Sequence, residues 1–497
     1  MHRVAGTILA AALCSAAAVV FSQSASNTTI AITGVTVIDG RGGAPLADAT
    51  VIVSDGKIAA VGAAATVHAP AGATVIDGKG KFVTPGLVDT NVHLSLYGGM
   101  ADRYETLAKY HSRQKEIVLE AAQNELKYGV TTVRDSYGLL MPLVAVRDDI
   151  AAGRAIGPRI LAAGNIVGWG GPYSVSFSLT REQGLTLFQE QINDEITQGA
   201  GEDLVDMEPE QLRTAIRAYL DKGPDFIKYG GTAHFARPAF IGFSPDAQRV
   251  IVEEAHKRNR VAETHSTTPE GLRLSVEAGI DLIQHPEVIG SREMPESLLR
   301  AIVDRKIVCS MLVSTMTGDA WKKHLKDRDE AAKKREEAEK KASGQQRAKT
   351  SAEIRQRQNE DGLEIEMRRK NAQKLIAAGA IVTIGTDNYW AAAPEFSRTS
   401  KPETQDHGIG SILAIEGLVE LGMTPAQAIV AATKNGAIAS RGLAEFGTIE
   451  PGKRADLLIL DANPLDDIHH LRKVTTILRD GRVVDRTKLP EHRVLSK

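Results

Sequence analysis

Apolar and polar residues alternate from Thr28 to about Val83. IAITGVTVID, ATVIVSDGKIAAVG and ATVIDGKGKFVTPG read as short strands, and SDGK supplies a hairpin turn. The same alternation returns near the C-terminus in ADLLILDANP and VTTILRDGRVVD. Two such stretches at opposite ends of one chain predict a small β-sandwich built from both. Between them the pattern changes to short apolar runs separated by helical periodicity, which predicts a parallel sheet. Eight apolar runs end near His93, Asp135, Gly164, Gly230, His265, His285, Leu312 and Asp387. KEIVLEAAQNELKYG, PEQLRTAIRAYLDKG, SPDAQRVIVEEAHKRN and PEGLRLSVEAG read as helices between them, several stopped by glycine. Alternating units in that number, over roughly 300 residues, fit a (β/α)8 TIM-like barrel. The expected fold class is α/β. The expected division is a signal peptide over 1–25, sandwich strands over 26–83, the barrel over 84–430 and further sandwich strands over 431–497.

One stretch breaks the barrel pattern. Residues 320–370 are dense in Lys, Arg and Glu at i,i+4 spacing, which predicts solvated helix. An exposed helical hairpin is the plain reading. A lid over the mouth is the sharper one, because loops after barrel strands sit on the catalytic face. A dimer arm is a third.

Composition narrows the function classes. The chain has 497 residues, 42 % hydrophobic and 25 % charged, ample for a large core. A net charge of -2, with acidic residues interleaved among the basic ones, gives no bulk pull toward nucleic acid or anionic membranes. Aromatics at 4 % leave few stacking platforms for single strands. MHRVAGTILAAALCSAAAVVFSQSAS has a basic start, an apolar stretch and small polar residues, the pattern of an export signal. The alternative is an uncleaved anchor, since Val4–Phe21 nears spanning length. After processing, the protein is expected in the periplasm or outside the cell, with no stable membrane association. Cys14 follows Leu13, a poor fit to lipoprotein processing. Cys309, the other of two cysteines, sits in the apolar KIVCSMLVS and reads as a core thiol. One mature cysteine excludes an internal disulfide framework.

Barrel active sites gather at the C-terminal ends of the strands. Those ends carry Asn91 and His93 in PGLVDTNVHLSLY, Lys228 in DFIKYGG, His265 in VAETHS, His285 in IDLIQHP and Asp387 in IVTIGTDN. Each alone has a dull explanation: a core histidine, a helix-capping aspartate, a snorkelling lysine. Together they suit a divalent zinc, nickel or manganese, with neutral imidazoles and a carboxylate leaving a position for water. Asn91 and His93 lie two apart on a strand and so share a face. A metal would turn that water into hydroxide near neutral pH, and Asp387 is the natural base to move its proton to a leaving nitrogen.

These motifs resemble the amidohydrolase superfamily over nearly the whole mature chain, and GTIEPGKRADLLILD looks like that family's return to its β-sandwich. The resemblance implies one or two divalent metals, zinc foremost. His93, His265, His285 and Asp387 are implied as ligands, with Lys228 as an N-carboxylated bridge. Asn91 stands where the family's first strand-one histidine would be. Phenylurea hydrolases, which this chain resembles, share the Asn-x-His. An amide oxygen can coordinate, more weakly than imidazole, so the expected effect is a weakened inner metal position. FIKYGG resembles the branch acting on amides, ureas and Xaa-Pro-type dipeptides.

For substrate binding the candidates are Tyr229, His234, Arg237, Trp169 and Trp390, with Tyr173 beside Trp169. Strand alternation would turn Tyr229 outward unless the strand stops there. Arg237 could hold a carboxylate or form a loop ion pair. GNIVGWGGPYS lacks a phosphate-loop lysine, which excludes a nucleotide site of that type. The expected activity is hydrolysis of a non-peptide C–N bond, in an amide or a urea or carbamate, by metal-activated hydroxide. The alternatives are a secreted metallo-dipeptidase of Xaa-Pro or Xaa-Arg type and an inactive binding protein on the same fold. A deaminase is disfavoured by the strand-four lysine. The expected partner is a small-molecule substrate, and the expected assembly is a homo-oligomer.

Overall fold

The computed structural model describes residues 29–97, 108–171, 173–174, 176, 185–234, 240–341, 363–390 and 403–496. The export-signal segment, Arg237 and part of the charged insertion lie outside the described residues.

Strands from both ends of the chain form one sheet. From the N-terminal side come β1 (Ile30–Val37), β2 (Leu46–Ser54), β3 (Lys57–Ala63), β4 (Thr74–Asp77) and β5 (Phe82–Pro85). At the turn joining β2 to β3, Asp55 and Gly56 both take positive φ, 51° and 76°, as a tight hairpin turn requires. β5 does not end at the edge of this sheet. After Gly86 alone the chain enters β6 (Leu87–Val92), the first of the parallel strands. A Cβ on Gly86 would sit 2.2 Å from Thr131 Oγ1, and the Gly86 N–H donates to the Asp456 carbonyl (2.8 Å). No larger residue passes through that gap.

The parallel strands continue as β7 (Val130–Asp135), β8 (Arg159–Ala162), β9 (Ile166–Val167), β10 (Ile227–Gly230), β11 (Ala262–His265), β12 (Leu282–Gln284), β13 (Val308–Met311) and β14 (Ile381–Ile384). They form two sheets, β6-β7-β8 and β9 through β14 in order. β14 lies beside β6: Val92 bridges Asn388 in parallel, and the His93 N–H donates to the Asn388 carbonyl (3.0 Å). The connecting helices carry the expected start signals. Ser244 caps Pro245–Lys257 by accepting from Ala247 N–H, and Thr268 caps Pro269–Ala278 by accepting from Gly271 N–H.

The chain then returns to the first sheet with β15 (Leu457–Leu460), β16 (Val474–Arg479) and β17 (Arg482–Val484). The sheet order is β17-β16-β15-β5-β1-β2-β3, with β4 paired to β1. β15 runs antiparallel to β5, Leu458 facing Thr84. Ile32, Val35, Val51, Ile58, Val83, Leu457 and Ile459 give this sheet a core of its own.

Three layers of side chains stack along the parallel strands. Phe226, Val261, Leu282 and Val308 make an apolar floor at the strand starts. Above it lies a buried polar layer. Arg134 meets Glu263 at 2.6 Å with both side chains essentially inaccessible, and its guanidinium lies 3.8 Å over the Phe226 ring. Gln284 joins them, donating to Glu263 Oε1 (2.9 Å) and to the Thr90 carbonyl (3.0 Å). The third layer, at the strand ends, holds the predicted ligands.

Two further features bear on the strand-end face. The charged insertion contributes the helix Gly318–Lys341, and the chain comes back as helix over residues 363–377; Arg328 and Glu366 tie the two at 2.7 Å. The C-terminal segment straps onto the helix Gln114–Lys127, where buried Glu120 accepts from the N–H groups of Val494, Leu495 and Ser496 (2.8, 2.8 and 2.9 Å). Leu495 thereby enters an aromatic cluster with Tyr97, Tyr110, Tyr137 and Trp169. Cys309 is buried, and burial pushes its thiol further up, as a core thiol should be. No helix among the described residues is long and apolar enough to cross a membrane.

Candidate metal-dependent active site

The structure brings Asn91, His93, Lys228, His265, His285 and Asp387 to one end of the parallel strands. Asn91 and His93 ride at the end of β6, 1 % and 6 % exposed. His93 Nδ1 lies 3.0 Å from the Tyr137 carbonyl, so that nitrogen must carry the proton. Its Nε2 then presents a lone pair to Asp387 Oδ1 at 2.9 Å. Two acceptors that close need a cation between them, a proton or a metal ion. Asn91 Nδ2 donates to the same carboxylate oxygen (3.1 Å), which leaves Asn91 Oδ1 buried with no partner.

The second half of the site repeats that deficit. His265 and His285 sit at the ends of β11 and β12, ring centroids 4.6 Å apart and edge to face. His265 Nε2 and His285 Nδ1 are buried without partners. Burial drives both imidazoles toward the neutral form, His285 down to about 3 and His265 well below its ordinary value, helped there by the charges of His285, His234 and Lys228. Lys228 is 1 % exposed and has no hydrogen-bond partner among the described residues. Burial lowers its pKa, against the pull of Glu263, Asp387 and Asp135. Asp387 is the opening of the site, its side chain 31 % exposed. Burial resists its ionisation, but the hydrogen bond and charge of His93, then His285 and Lys228, hold the carboxyl well below its usual range.

Orphaned donor atoms of this kind cost about 1–3 kcal/mol each when nothing meets them. His285 and Asp387 also hold left-handed backbone at φ 38° and 52°. Uncompensated buried groups and local strain together mark a site arranged for a ligand. Neutral imidazoles, a carboxylate and an amide oxygen are the donor set of a borderline divalent ion. Among the described residues no three His, Cys, Asp or Glu side chains group closely enough to hold a metal by themselves.

The substrate candidates divide. Trp169 stands edge-on to His265 at 4.7 Å, its Nε1 donating to the Thr232 carbonyl (3.0 Å). His234 is exposed and stacks on His265 at 5.9 Å. Tyr173 packs beside Trp169 in the aromatic cluster. Trp390 follows the Asp387 loop, its buried Nε1 without a partner. Tyr229 is the exception and is corrected here. Alternation along β10 turns it to the opposite face from Lys228, where its hydroxyl donates to Gln248 on the helix Pro245–Lys257 (3.0 Å). It lines the helix layer, not the site.

Sequence reasoning missed the Tyr137 carbonyl, which orients His93 and which no side-chain motif announces. It also missed Glu287, two residues after His285. Burial pushes that carboxyl up to about 7 while it accepts from Leu312 N–H (2.8 Å). Its position in QHPE was the only available signal. If Asn91 Oδ1 is a weak ligand, Asn91→His should tighten one bound ion roughly tenfold or more, measured by chelator competition. Equal affinity in both forms would remove Asn91 from the ligand set.

The model of the amidohydrolase family matches residues 82–484. Ochratoxinase of Aspergillus niger is 25 % identical over 485 residues, spanning 94 % of this chain and 88 % of that protein. The crystal structure of phenylurea hydrolase B superposes with a TM-score of 0.81 at 32 % identity, covering 94 % of this chain and 99 % of that one. Molinate hydrolase gives a TM-score of 0.81 at 29 % identity, covering 94 % and 97 %.

Proposed function

The chain belongs to the amidohydrolase family, and from that premise we propose that it is a metal-dependent hydrolase of a non-peptide C–N bond in a small amide, urea or carbamate. The observation that carries the reading is the meeting of His265 Nε2, His285 Nδ1 and Asn91 Oδ1, all buried and unpartnered, with Lys228 and the His93–Asp387 pair. Held there, one or two divalent ions, zinc foremost, supply a water of lowered pKa and a Lewis acid for the scissile carbonyl.

The chain's own residues do the rest. Asp387, ionised and open on one side, takes the water's proton and delivers it to the leaving nitrogen, which departs as a neutral amine. His93 is aimed by the Tyr137 carbonyl and fixes the carboxylate's position. Burial favours the neutral, nucleophilic form of the Lys228 amine. Uptake of CO2 forms its N–C bond, releases a proton and leaves an anionic carbamate suited to bridging cations. Trp169, Trp390 and His234 wall the space where the substrate lies and help exclude water.

The finer architecture follows the same reading: a closed (β/α)8 barrel, with the end sheet as its small β-sandwich. The Val92–Asn388 bridge and the near-continuity of β8 with β9 support closure. Export is supported by the N-terminal pattern of basic, apolar and small residues. The names of the relatives, phenylurea hydrolase B, molinate hydrolase and ochratoxinase, support the substrate range. The test is a panel of aryl ureas, aryl amides, carbamates and Xaa-Pro or Xaa-Arg dipeptides, with zinc, nickel or manganese supplied and the released amine measured. Turnover of an amide, urea or carbamate is the expected result. Turnover of dipeptides alone would favour the dipeptidase, and no turnover across the panel the inactive binding protein.

A further inference from the structure

Two wholly buried carboxyls share one hydroxyl beside the loop that carries Asp387. Asp89 lies on β6 and Glu125 on the helix Gln114–Lys127, each 0 % exposed. Ser411 Oγ stands between them, 2.8 Å from Asp89 Oδ2 and 3.4 Å from Glu125 Oε2. Among the described residues neither acid has a cation to pair with. Their donors are unequal. Asp89 accepts from the Asn91 N–H (3.0 Å), from the N–H and hydroxyl of Thr386 (3.3 and 2.9 Å) and from Ser411, a full complement for an ionised carboxylate. Ser411 has a single hydroxyl proton, and the shorter contact, to Asp89, takes it. Glu125 Oε2 therefore faces an oxygen with no proton left to donate. Two acceptors so placed need a proton between them, and only Glu125 can carry it. Burial and the charge of Asp89 push the Glu125 carboxyl up, in the same direction.

The two acids hold the residues on either side of Asp387. Asp89 holds Thr386, and Glu125 Oε1 accepts from Nδ2 of fully buried Asn388 (2.5 Å). Asn388 bridges Val92 and accepts the His93 N–H at its carbonyl (3.0 Å). Asp387 itself is left-handed, at φ 52°, a conformation that persists only where its surroundings hold it. Deepening the hydrolase reading on which it rests, we propose that Glu125 is kept as a neutral acid and is a positioning residue, acting through Asn388 to fix Asp387 and His93 against each other.

The test compares two neutral replacements. Glu125→Gln keeps an acceptor for Asn388 and a donor for Ser411, whereas Glu125→Leu keeps only bulk. Infrared difference spectra of the metal-free protein at neutral pH should show the carbonyl stretch of an un-ionised carboxylic acid in the wild type and its loss in Glu125→Gln. Identical acid bands in the two proteins overturn the assignment. On zinc-loaded protein, with a substrate from the amide, urea and carbamate panel, Glu125→Gln should keep kcat within about threefold of wild type. Glu125→Leu should lose about a hundredfold in kcat with KM nearly unchanged. Equal rates in the two variants overturn the positioning role. Should the leucine variant fail to fold, Asn388→Ala carries the test, because it removes the side chain that Glu125 holds and keeps the carbonyl that His93 uses; the same loss of kcat is expected, and a rate like wild type overturns the role. If no panel compound is turned over, the hydrolase reading fails, and the infrared band with zinc affinity by chelator competition decides the role of Glu125. That affinity should be unchanged in Glu125→Gln and about tenfold weaker in Glu125→Leu; equal affinities overturn the role.

Discussion

Lys228→Ala is expected to lower hydrolysis on the order of a thousand-fold or more and to strip the protein of most of its metal. The opposite expectation follows if Lys228 is only a core residue. A buried amine with no hydrogen-bond partner is a liability, and its removal should then raise stability with metal content unchanged. The two readings therefore move in different directions on two instruments. Elemental analysis reports the metal, and a denaturant melt of the metal-free protein reports the liability. Loss of metal and rate, with the apo form as stable as the parent or more so, is the expected combination. Metal content and activity that both survive would remove Lys228 from the ligand set.

Arg134→Met should cost about 3–5 kcal/mol of stability, read from the denaturant midpoint. The size comes from what is left behind more than from what is lost. Glu263 is wholly inaccessible, and without Arg134 its charge has one remaining hydrogen bond, from Gln284. Arg134 joins strands that are not neighbours in either sheet, so nothing in its own sheet substitutes for it. Adding Glu263→Leu to Arg134→Met should recover most of the stability, because two apolar groups of similar bulk leave no uncompensated charge. A single variant within about 1 kcal/mol of wild type would mean that water reaches this layer.

The strand ends were legible because they combine two signals that seldom coincide, an apolar run and a polar residue where the run stops. His265, His285 and Lys228 stand out for that reason, and the structure gathers them. Tyr229 was ambiguous in the sequence, since a strand ending at Lys228 would free the next side chain to turn inward. β10 continues through Gly230, and alternation decides the matter. The β segments near the C-terminus were visible as alternation, but their strands begin only at Leu457, because the residues before it form short helices and turns against β6 and β14. The Tyr137 carbonyl that aims His93 is backbone, and backbone has no letter.

The passage from β5 through Gly86 into β6 turns the end sheet into an index for the first pair of candidate ligands. β5 is gripped on both sides, by β1 and β15, so its position along its own axis is set by many hydrogen bonds made far from the chemistry. One residue later the same strand direction carries Asn91 and His93. A slip of a single residue would present Thr90 and Val92 to the candidate site in their place. The sheet assembled from the two far stretches of the chain thus acts as a ruler for β6. Its loss would show first as a misnumbered strand rather than as an unfolded one.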